Sequence, residues 1–469
     1  MTDGRILVIG LGAVSRCTLP LLFEHVSVRP SQYTVIDFGD VAESARWVQE
    51  QGASFAQERI EKDNYGEVLG RHAGPGDVIV DLAWNIGTAD VLEWCRDNDV
   101  RYVNASLEVW DPYAGMGESE PTERTLYARH MDLRERIARW GDNDGPTAIL
   151  DHGANPGLVS HFTKAALLDI AAACSVDANV PWNELAQTLN VQTIHISERD
   201  TQISSRPKLE NEFVNTWSVE GFYEEGVAPA ELGWGTHEKE LPRLAYAHAT
   251  GPRNQICLAH PGCRTWVRSW VPCGEIVGMV IRHGEAFSIS EALTVERDGE
   301  AVYRPTVHYA YCPADAAIAS LHELHMRGDE LQTAQRIMND DIVDGRDELG
   351  VLLMGHPQTA WWYGSLLDIH EARRLVPHQN ATTLQVAAAI LGAVQWLLEN
   401  PRRGVRLPDE LPHEEILSHA RPYLGPVVSQ QVGWTPLQRW SDPFAGFGRP
   451  RPAAEDVWQF STFLVHGPA

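Results

Sequence analysis

RILVIGLGAVS (residues 5–15) opens the chain, and YTVID (residues 33–37) follows it. The first stretch predicts an apolar strand, a glycine turn and the start of a helix, and the second predicts a strand that ends on a carboxylate. Gly10 permits the tight turn, and Gly12 lets the backbone approach a pyrophosphate. Backbone N–H groups and the dipole at the helix start favour that negative charge. This order of elements predicts a dinucleotide-binding domain, with an ordinary strand–turn–helix unit as the alternative.

The cofactor-binding positions lie in the turn, in the first turn of the helix and at the end of the second strand. They are Gly10, Gly12, Ala13, Val14, Ser15 and Asp37. Asp37 stands where an acid accepts hydrogen bonds from the adenosine ribose, and its charge repels the additional phosphate of NADP. Ser15 replaces the third glycine of the usual pattern and is small enough to keep the helix close to the strand. The cofactor predicted from these residues is NAD.

Length and composition indicate a soluble globular protein. With 469 residues the chain can bury a large core and should form at least two domains. The hydrophobic fraction is 43% and the charged fraction 22%, and neither a secretory leader nor an apolar run approaching the length of a membrane span is visible. The seven cysteines form no CxxC pair, so we expect no structural zinc and no disulfide framework. A reducing, cytoplasmic compartment fits this cysteine usage best.

The formal net charge of −26 bears on the choice of partner. An acidic surface disfavours nucleic acid and anionic membranes, and it attracts cations. We therefore expect no nucleic-acid or membrane partner. The charge by itself mainly favours solubility, and a cationic substrate is a second interpretation of it.

The first third of the chain alternates between strand and helix patterns. Strands are predicted near 4–10, 32–37, 77–82, 101–105 and 147–150, and helices near 13–26, 41–51, 87–97 and 123–140. Such alternation is typical of a parallel sheet with crossover helices. The predicted fold class is therefore α/β, with a Rossmann-type parallel sheet that has helices on both faces over residues 1–155.

The pattern changes from about residue 158 onward. Longer strands rich in Val, Ile, Thr and Tyr appear, among them 293–297 and 302–311, which flank the turn dipeptide Asp298-Gly299. They predict a second α+β domain with a mixed or antiparallel sheet over residues 156–380. A long apolar helix then ends at Asn400-Pro401, and we expect the segment 380–469 to pack back on the first domain.

Three segments follow predicted strands of the first sheet, where a hydride-transfer enzyme must present its substrate. Residues 104–110 place Glu108 beside an aromatic side chain, residues 153–157 contain Asn155 and begin a helix, and residues 81–85 end a third strand. Each of these segments taken alone is also typical of an ordinary loop.

The second domain offers Trp217 near several carboxylates. In a strand, Phe213, Asn215, Trp217 and Val219 would share one face, where core packing is the usual role of a tryptophan. The alternative is an alkylammonium site, because an aromatic face attracts a cation and carboxylates orient it. His283, at a predicted strand end after the apolar stretch 278–281, has the chemistry of a proton shuttle near neutral pH. A structural role is again the alternative.

Long irregular runs carry a family resemblance. PAELGWGTHEK (residues 229–239) and RPYLGPVV (residues 421–428) are far more specific than a glycine turn. The other matching stretches are 10–20, 108–110, 153–160, 195–202, 214–221, 303–311 and 342–355. Over nearly its whole length the chain resembles the bacterial homospermidine synthases, which are related to the saccharopine dehydrogenase-like reductases.

The resemblance implies a reaction without net redox. Two putrescines are joined into sym-homospermidine with loss of ammonia, and NAD is retained as a recycled group. One amine carbon gives its hydride to NAD⁺, the second putrescine attacks the resulting imine, and the new imine takes the hydride back. The implied partners are putrescine, spermidine or 1,3-diaminopropane, and a second copy of the chain in a homodimer.

The resemblance also implies roles for six residues. Glu198, His283 and Asn155 steer protons and imine exchange beside the nicotinamide. Trp217 holds the migrating cation through its ring face. Glu108 and Glu225 bind the distal ammonium groups. No metal site is implied, since no His, Cys and Asp cluster has ligand spacing.

Two departures from the family pattern leave the substrate open. Ser106-Leu107 and Trp84-Asn85 differ from the residues expected near the amine pocket. One alternative is a related enzyme for another amine or amino acid pair, in which Arg199 or Arg282 would bind a carboxylate. A second is a saccharopine-type reductase that consumes NAD(P)H, and a third is an NAD-binding regulator without catalysis.

Overall fold

The computed structural model describes residues 4–114, 119–441, 446 and 450–465. The strands up to residue 233 are β1 Ile6–Ile9, β2 Tyr33–Asp37, β3 Ser54–Gln57, β4 Val78–Asp81, β5 Arg101–Asn104, β6 Ala148–Ile149, β7 Thr193–Asp200, β8 Ile203–Ser204, β9 Glu212–Asn215 and β10 Pro229–Gly233. The later strands are β11 Ala245–Ala247, β12 Gln255–Pro261, β13 Trp266–Val271, β14 Gly274–Met279, β15 Val295–Arg297, β16 Glu300–Tyr303, β17 Thr306–Cys312, β18 Ala334–Ile337, β19 Ile342–Asp344, β20 Arg346–Met354, β21 Ala360–Asp368, β22 Val405–Arg406 and β23 Val427–Val432. The helices are α1 Ala13–His25, α2 Ala42–Glu50, α3 Tyr65–His72, α4 Thr88–Asp97, α5 Leu126–Arg139, α6 Leu158–Cys174, α7 Trp182–Leu189, α8 Val219–Val227, α9 Gly284–Ala292, α10 Asp315–Met326, α11 Ile369–Leu375, α12 Ala381–Glu399, α13 His413–Ala420 and α14 Phe460–Phe463.

The first sheet is parallel throughout, in the order β22-β6-β5-β4-β1-β2-β3. Alternate residues of β1 belong to different hydrophobic clusters, with Ile6 and Val8 in one and Leu7 and Ile9 in the other. Both faces of the sheet are therefore covered, as in α/β folds in general. The predicted Rossmann-type sheet is confirmed. β3 was not predicted, since this edge strand is only partly buried and carries no apolar run.

The second sheet has ten strands, and its long path runs β11-β12-β10-β17-β7-β20-β21-β23. The β13–β14 hairpin joins it through β17. β7 and β17 are parallel, whereas β7 pairs with β20 in the antiparallel direction, so the sheet is mixed. The predicted second α+β unit with a mixed sheet is confirmed. β7 lies in the middle of this sheet and is almost wholly buried.

The part of the chain after residue 380 contributes to both sheets. α12 packs against α1 and α13, β22 extends the first sheet, and β23 extends the second. Among the described residues, α12 is the one helix long and apolar enough to cross a membrane, and 83% of its apolar 18-residue window is buried inside the molecule. The expectation that no apolar run approaches that length was wrong for α12, whose apolar residues serve the core between helices.

Three local predictions need correction. β9 ends at Asn215 and α8 begins at Val219, so Trp217 lies in the connection and shares no strand face with Phe213. The cause is Ser218, whose hydroxyl accepts a hydrogen bond from the Gly221 N–H at 3.0 Å and caps α8.

The other two corrections concern strand ends. The predicted strand 302–311 is divided into β16 and β17 because Pro305 has no N–H for a ladder bond. The turn before it is formed as predicted, with φ of 55° at Asp298 and 82° at Gly299. His283 follows no strand directly, since β14 ends at Met279, and it is the residue that precedes α9.

Candidate functional site

The glycine turn between β1 and α1 is tightly packed on one side and open on the other. Gly10 has φ of 89°, and a Cβ there would lie 3.2 Å from backbone atoms of Leu82 and Ala83. Gly12 is exposed, and a Cβ at that position would meet nothing within 4 Å. The first turn of α1 carries no acidic residue. No side chain within this turn therefore competes for its N-terminal N–H groups, which suit a pyrophosphate.

Asp37 is fixed beside this turn by backbone donors. Its carboxylate accepts hydrogen bonds from the Leu11 N–H at 2.6 Å and from the Gly39 N–H at 2.7 Å. These contacts hold the acid at the end of β2, next to the start of α1. Ser15 on α1 is buried, so the packed interior accommodates a serine in place of the usual glycine. The turn and Asp37 together fit a dinucleotide.

Glu198 connects the two sheets. It lies near the end of β7, is only 3% exposed, and its Oε2 lies 3.5 Å from Nδ2 of Asn155, which follows β6 of the first sheet. The Tyr309 hydroxyl donates a hydrogen bond to the same oxygen. Burial raises the pKa of Glu198 to about 8, although the Tyr309 hydrogen bond acts in the opposite direction. The group therefore exchanges a proton near neutral pH.

His283 lies between two carboxylates. Its Nε2 is 3.0 Å from Oε2 of Glu225, and its Nδ1 is 3.4 Å from Oε1 of Glu285. Burial disfavours the charged ring, but the two acids more than compensate and raise the pKa of His283 well above its usual value. Burial also raises the pKa of Glu225, while His283 acts to lower it.

Glu108 occupies the loop after β5. Ser106 donates a hydrogen bond of 2.7 Å to its Oε1, and its Oε2 is buried without a hydrogen-bond partner among the described residues. Burial and then the nearby charge of Glu224 raise the pKa of Glu108 to about 7. An ammonium group that entered this site could donate a hydrogen bond to Oε2 of Glu108 without displacing another donor.

Glu224 is different from these acids because two guanidinium groups neutralise it. Arg129 donates to its Oε1 at 2.5 Å, and Arg282 donates to the same oxygen. Burial opposes the charge of Glu224, yet Arg282 and Arg129 hold its pKa below the usual value. The cluster borders a cavity of about 180 Å³ that Tyr113 also lines.

Trp217 is partly exposed and is held by a tyrosine. Its Nε1 donates a 3.0 Å hydrogen bond to the Tyr311 hydroxyl, and its ring centre is 5.3 Å from that of Phe222. Tyr311 stacks on Tyr309 with ring centres 5.1 Å apart, and the His283 ring lies 4.5 Å from that of Tyr309. Aromatic side chains thus link the tryptophan to the acids.

The six amine-site residues expected from the sequence fall into two connected groups. One joins Asn155, Glu198, His283, Glu225 and Trp217 through the tyrosines, and the other consists of Glu108 beside the Glu224 cluster. Sequence reasoning missed the side chains that connect them. They are Tyr309, Tyr311, Glu285, Glu224 and Arg129. The alternation of tyrosines in 306–312 was the one available signal, since it puts both rings on one face of a strand.

Both arginines considered for a carboxylated substrate already have acidic partners. Arg282 is buried against Glu224, and Arg199 donates to Asp315 at 2.8 Å and to the Pro313 carbonyl at 2.6 Å. A substrate carboxylate would have to displace Glu224 from Arg282 or Asp315 from Arg199. Among the residues that the structure describes, no group of three or more His, Cys, Asp or Glu side chains could hold a metal ion.

Comparison with known proteins decides the family. Two family models match in succession, the saccharopine dehydrogenase NADP binding domain over residues 6–149 and the saccharopine dehydrogenase C-terminal domain over residues 153–432. The homospermidine synthase of Blastochloris viridis is 44% identical, with 99% of this chain and 98% of that protein covered. The chain belongs to the homospermidine synthase family. The homospermidine synthase of Mesorhizobium japonicum is 39% identical over 98% of this chain and 96% of that protein.

Solved structures agree with membership of the homospermidine synthase family. The homospermidine synthase of Legionella pneumophila, crystallised in complex with NAD, has a TM-score of 0.90 and 39% identity and covers 99% of this chain and 98% of its own. Apo saccharopine dehydrogenase of Saccharomyces cerevisiae has a TM-score of 0.52 at 11% identity and covers 92% of this chain and 100% of its own. The latter similarity shows a shared fold alone.

Proposed function

We propose that this protein is a homospermidine synthase that joins two putrescines into sym-homospermidine with release of ammonia. The observation that carries the proposal is the nearly full-length similarity to two homospermidine synthases. The geometry supports it, because an amine-handling reaction needs several acids of tuned proton affinity in one place, and Glu198, Glu225 and Glu108 supply them.

NAD is the cofactor that the first domain fits. The turn at Gly10 and Gly12 would hold the pyrophosphate at the start of α1, and Asp37 would bind the ribose. NAD, when bound, accepts a hydride from an amine carbon and returns it. The matching family model is described as an NADP binding domain, but Asp37 is a fixed acid where a 2′-phosphate would lie and favours NAD.

Glu198 is the proposed base for the attacking amine. An ammonium group must lose a proton before it can attack a carbon. The deprotonated form of a group whose pKa is about 8 is a stronger base than an ordinary carboxylate and can accept that proton. Asn155 and Tyr309 fix the carboxylate at Oε2. His283 lies between Glu225 and Glu285, which raise its pKa, so the ring holds a proton that it can donate during imine exchange.

Trp217 and the remaining acids bind the charges at a distance from the reacting carbon. The exposed part of the Trp217 ring attracts a cationic imine through its face. Glu108 and Glu225 bind the distal ammonium groups of the two amines. Putrescine is the proposed substrate, with spermidine or 1,3-diaminopropane as further amines.

We also propose how the chain is organised and where it works. The bounds are 1–155 for the NAD-binding domain and 156–380 for the substrate-binding domain, with part of 380–469 returning to the first. The active form is a cytoplasmic homodimer, as the resemblance to the family implies.

Product analysis tests the proposed function directly. Purified protein with NAD⁺ and putrescine should yield homospermidine and ammonia over many turnovers, while absorbance at the reduced-nicotinamide band stays flat. With putrescine deuterated at its amine-bearing carbons, the migrating label should return to the product. Steady formation or consumption of NADH would favour a saccharopine-type reductase. Faster turnover with an amino acid would identify a different amine pair.

A further inference from the structure

We propose that Tyr309 and Tyr311 are positioning residues of the amine site. Tyr309 sets the proton affinity of Glu198, and Tyr311 orients the ring of Trp217. This inference rests on the proposed function, because the amine chemistry gives Glu198 and Trp217 their roles.

The strand register brings both tyrosines to the same place. β17 pairs with β7 so that Tyr311 stands opposite Glu198, and Tyr309 lies two residues before it on the same face. The two rings stack with an interplanar angle of 12°. Both side chains are buried at 3% exposure or less, so neither ring can turn away from the site without disturbing the core.

Tyr309 interacts with three groups of the site. Its hydroxyl donates to Glu198, the same hydroxyl interacts with the Asn155 side chain, and its ring packs against His283. Burial raises the pKa of Tyr309 well above its usual value, so the phenol remains a donor throughout the working range. A hydrogen bond to a carboxylate stabilises its charged form. Tyr309 thereby counteracts the burial of Glu198 and keeps its proton exchangeable.

Tyr311 acts on a different partner. Its hydroxyl accepts the indole N–H of Trp217, and Phe222 contacts both rings at 5.3 Å and 5.6 Å between centres. Trp217 lies in a connection between β9 and α8, where backbone pairing does not fix its side chain. The hydrogen bond to a rigid strand therefore determines which way the ring faces. Orientation matters because a cation is attracted to the face of a ring.

Other charged groups also influence Glu198 and must be the same in any comparison. From the elements packed around it they are Asp200 on β7, His283 and Glu285 beside α9, and Asp347 on β20. Replacing either tyrosine by phenylalanine leaves all of these in place and removes one hydroxyl. Each variant is thus the matched control for the other.

The test compares Tyr309→Phe with Tyr311→Phe as NAD-loaded enzymes. Rates of homospermidine formation are measured from pH 6 to pH 9.5, together with KM for putrescine and the melting temperature. For Tyr309→Phe we expect the acidic limb of kcat/KM to move to higher pH by about one unit, with an about tenfold loss at pH 7 that recovers in base. For Tyr311→Phe we expect an unmoved limb and a roughly 3- to 30-fold loss at every pH.

A double variant and a modified tyrosine make the result decisive. If Tyr309 acts through Glu198, Tyr309→Phe should have no further effect on the residual rate of Glu198→Gln. If Tyr309→Phe does not fold, 3-fluorotyrosine at position 309 keeps the shape, donates more strongly and should move the acidic limb to lower pH. If the wild-type enzyme makes homospermidine but the acidic limb does not move in these variants, the inference is overturned and the proposed function stands. A wild-type enzyme that makes no homospermidine would overturn the proposed function instead.

Discussion

Binding of a diamine to this protein should release protons into solution at neutral pH. Glu198 and Glu108 have pKa values of about 8 and about 7 without an occupant, because burial disfavours their charged forms. At pH 7 these values correspond to about 0.9 and about 0.5 of a proton held. An ammonium group at each carboxylate lowers its pKa toward the usual range, so that about 1.4 protons leave.

The same arithmetic predicts how the release changes. At pH 8 the two acids together hold about 0.6 of a proton. At pH 7, diamine binding should release about 0.5 of a proton from Glu198→Gln and about 0.9 of a proton from Glu108→Gln. The pKa of Glu225 is raised like those of the other two acids, so Glu225 can only increase the number of protons released.

Isothermal titration calorimetry measures the release when the same binding reaction is run in buffers with different ionisation enthalpies. The enzyme should be loaded with NADH, which cannot accept a hydride, so that putrescine binds without reacting. Glu291→Gln is the control, because Glu291 is partly exposed, pairs with Arg134 and is not one of the proposed amine-site residues. A binding heat that does not depend on the buffer, or proton uptake, would refute both the placing of Glu198 beside the reacting amine and the assignment of Glu108 as an ammonium site.

Three further predictions concern single positions. Asp37→Ser should narrow the preference for NAD over NADP in a direct binding titration, and a wild-type protein that prefers NADP would show that the role of this acid was misjudged. Trp217→Phe should keep part of the activity and Trp217→Ala should lose most of it with a nearly unchanged melting temperature; a loss of roughly 3–5 kcal/mol of stability would identify Trp217 as a core residue. Glu198→Gln should keep only a small residual activity but melt at a higher temperature than wild type above pH 8. Burial raises the folded-state pKa of Glu198 from 4.5 to about 8, so wild type loses stability as pH rises between those values and the amide does not. Equal melting temperatures at pH 9 would contradict this.

The first domain could be predicted almost completely from sequence. Local signals suffice there, since each strand is a short apolar run and Gly10 and Asp37 mark the turn and the strand end. β3 was missed because an edge strand with exposed residues lacks the apolar run that identifies the others. Trp217 was placed on a strand because aromatic residues favour strands, but the Ser218 cap starts a helix one residue later.

The site residues themselves were expected only through the family resemblance, and their partners were not expected at all. Tyr309 and Glu198 are 111 positions apart in the sequence, and their contact depends on the pairing of β17 with β7. The pairing of Arg282 with Glu224 likewise depends on how the segment before α9 meets α8. Contacts of this kind follow from tertiary structure, for which hydrophobic periodicity contains no information.

The adjacent residues Glu224 and Glu225 show why those contacts decide function. In sequence they are equivalent carboxylates on α8, and either could bind an ammonium group. Glu224 is already neutralised by two arginines, so a further cation gains little there and would be repelled by the guanidinium groups. Glu225 has one hydrogen-bonded cationic partner, His283, which does not fully offset burial, so the pKa of Glu225 stays raised. An approaching ammonium group therefore restores a charge that burial had made unfavourable, which makes Glu225 the acid that gains from binding.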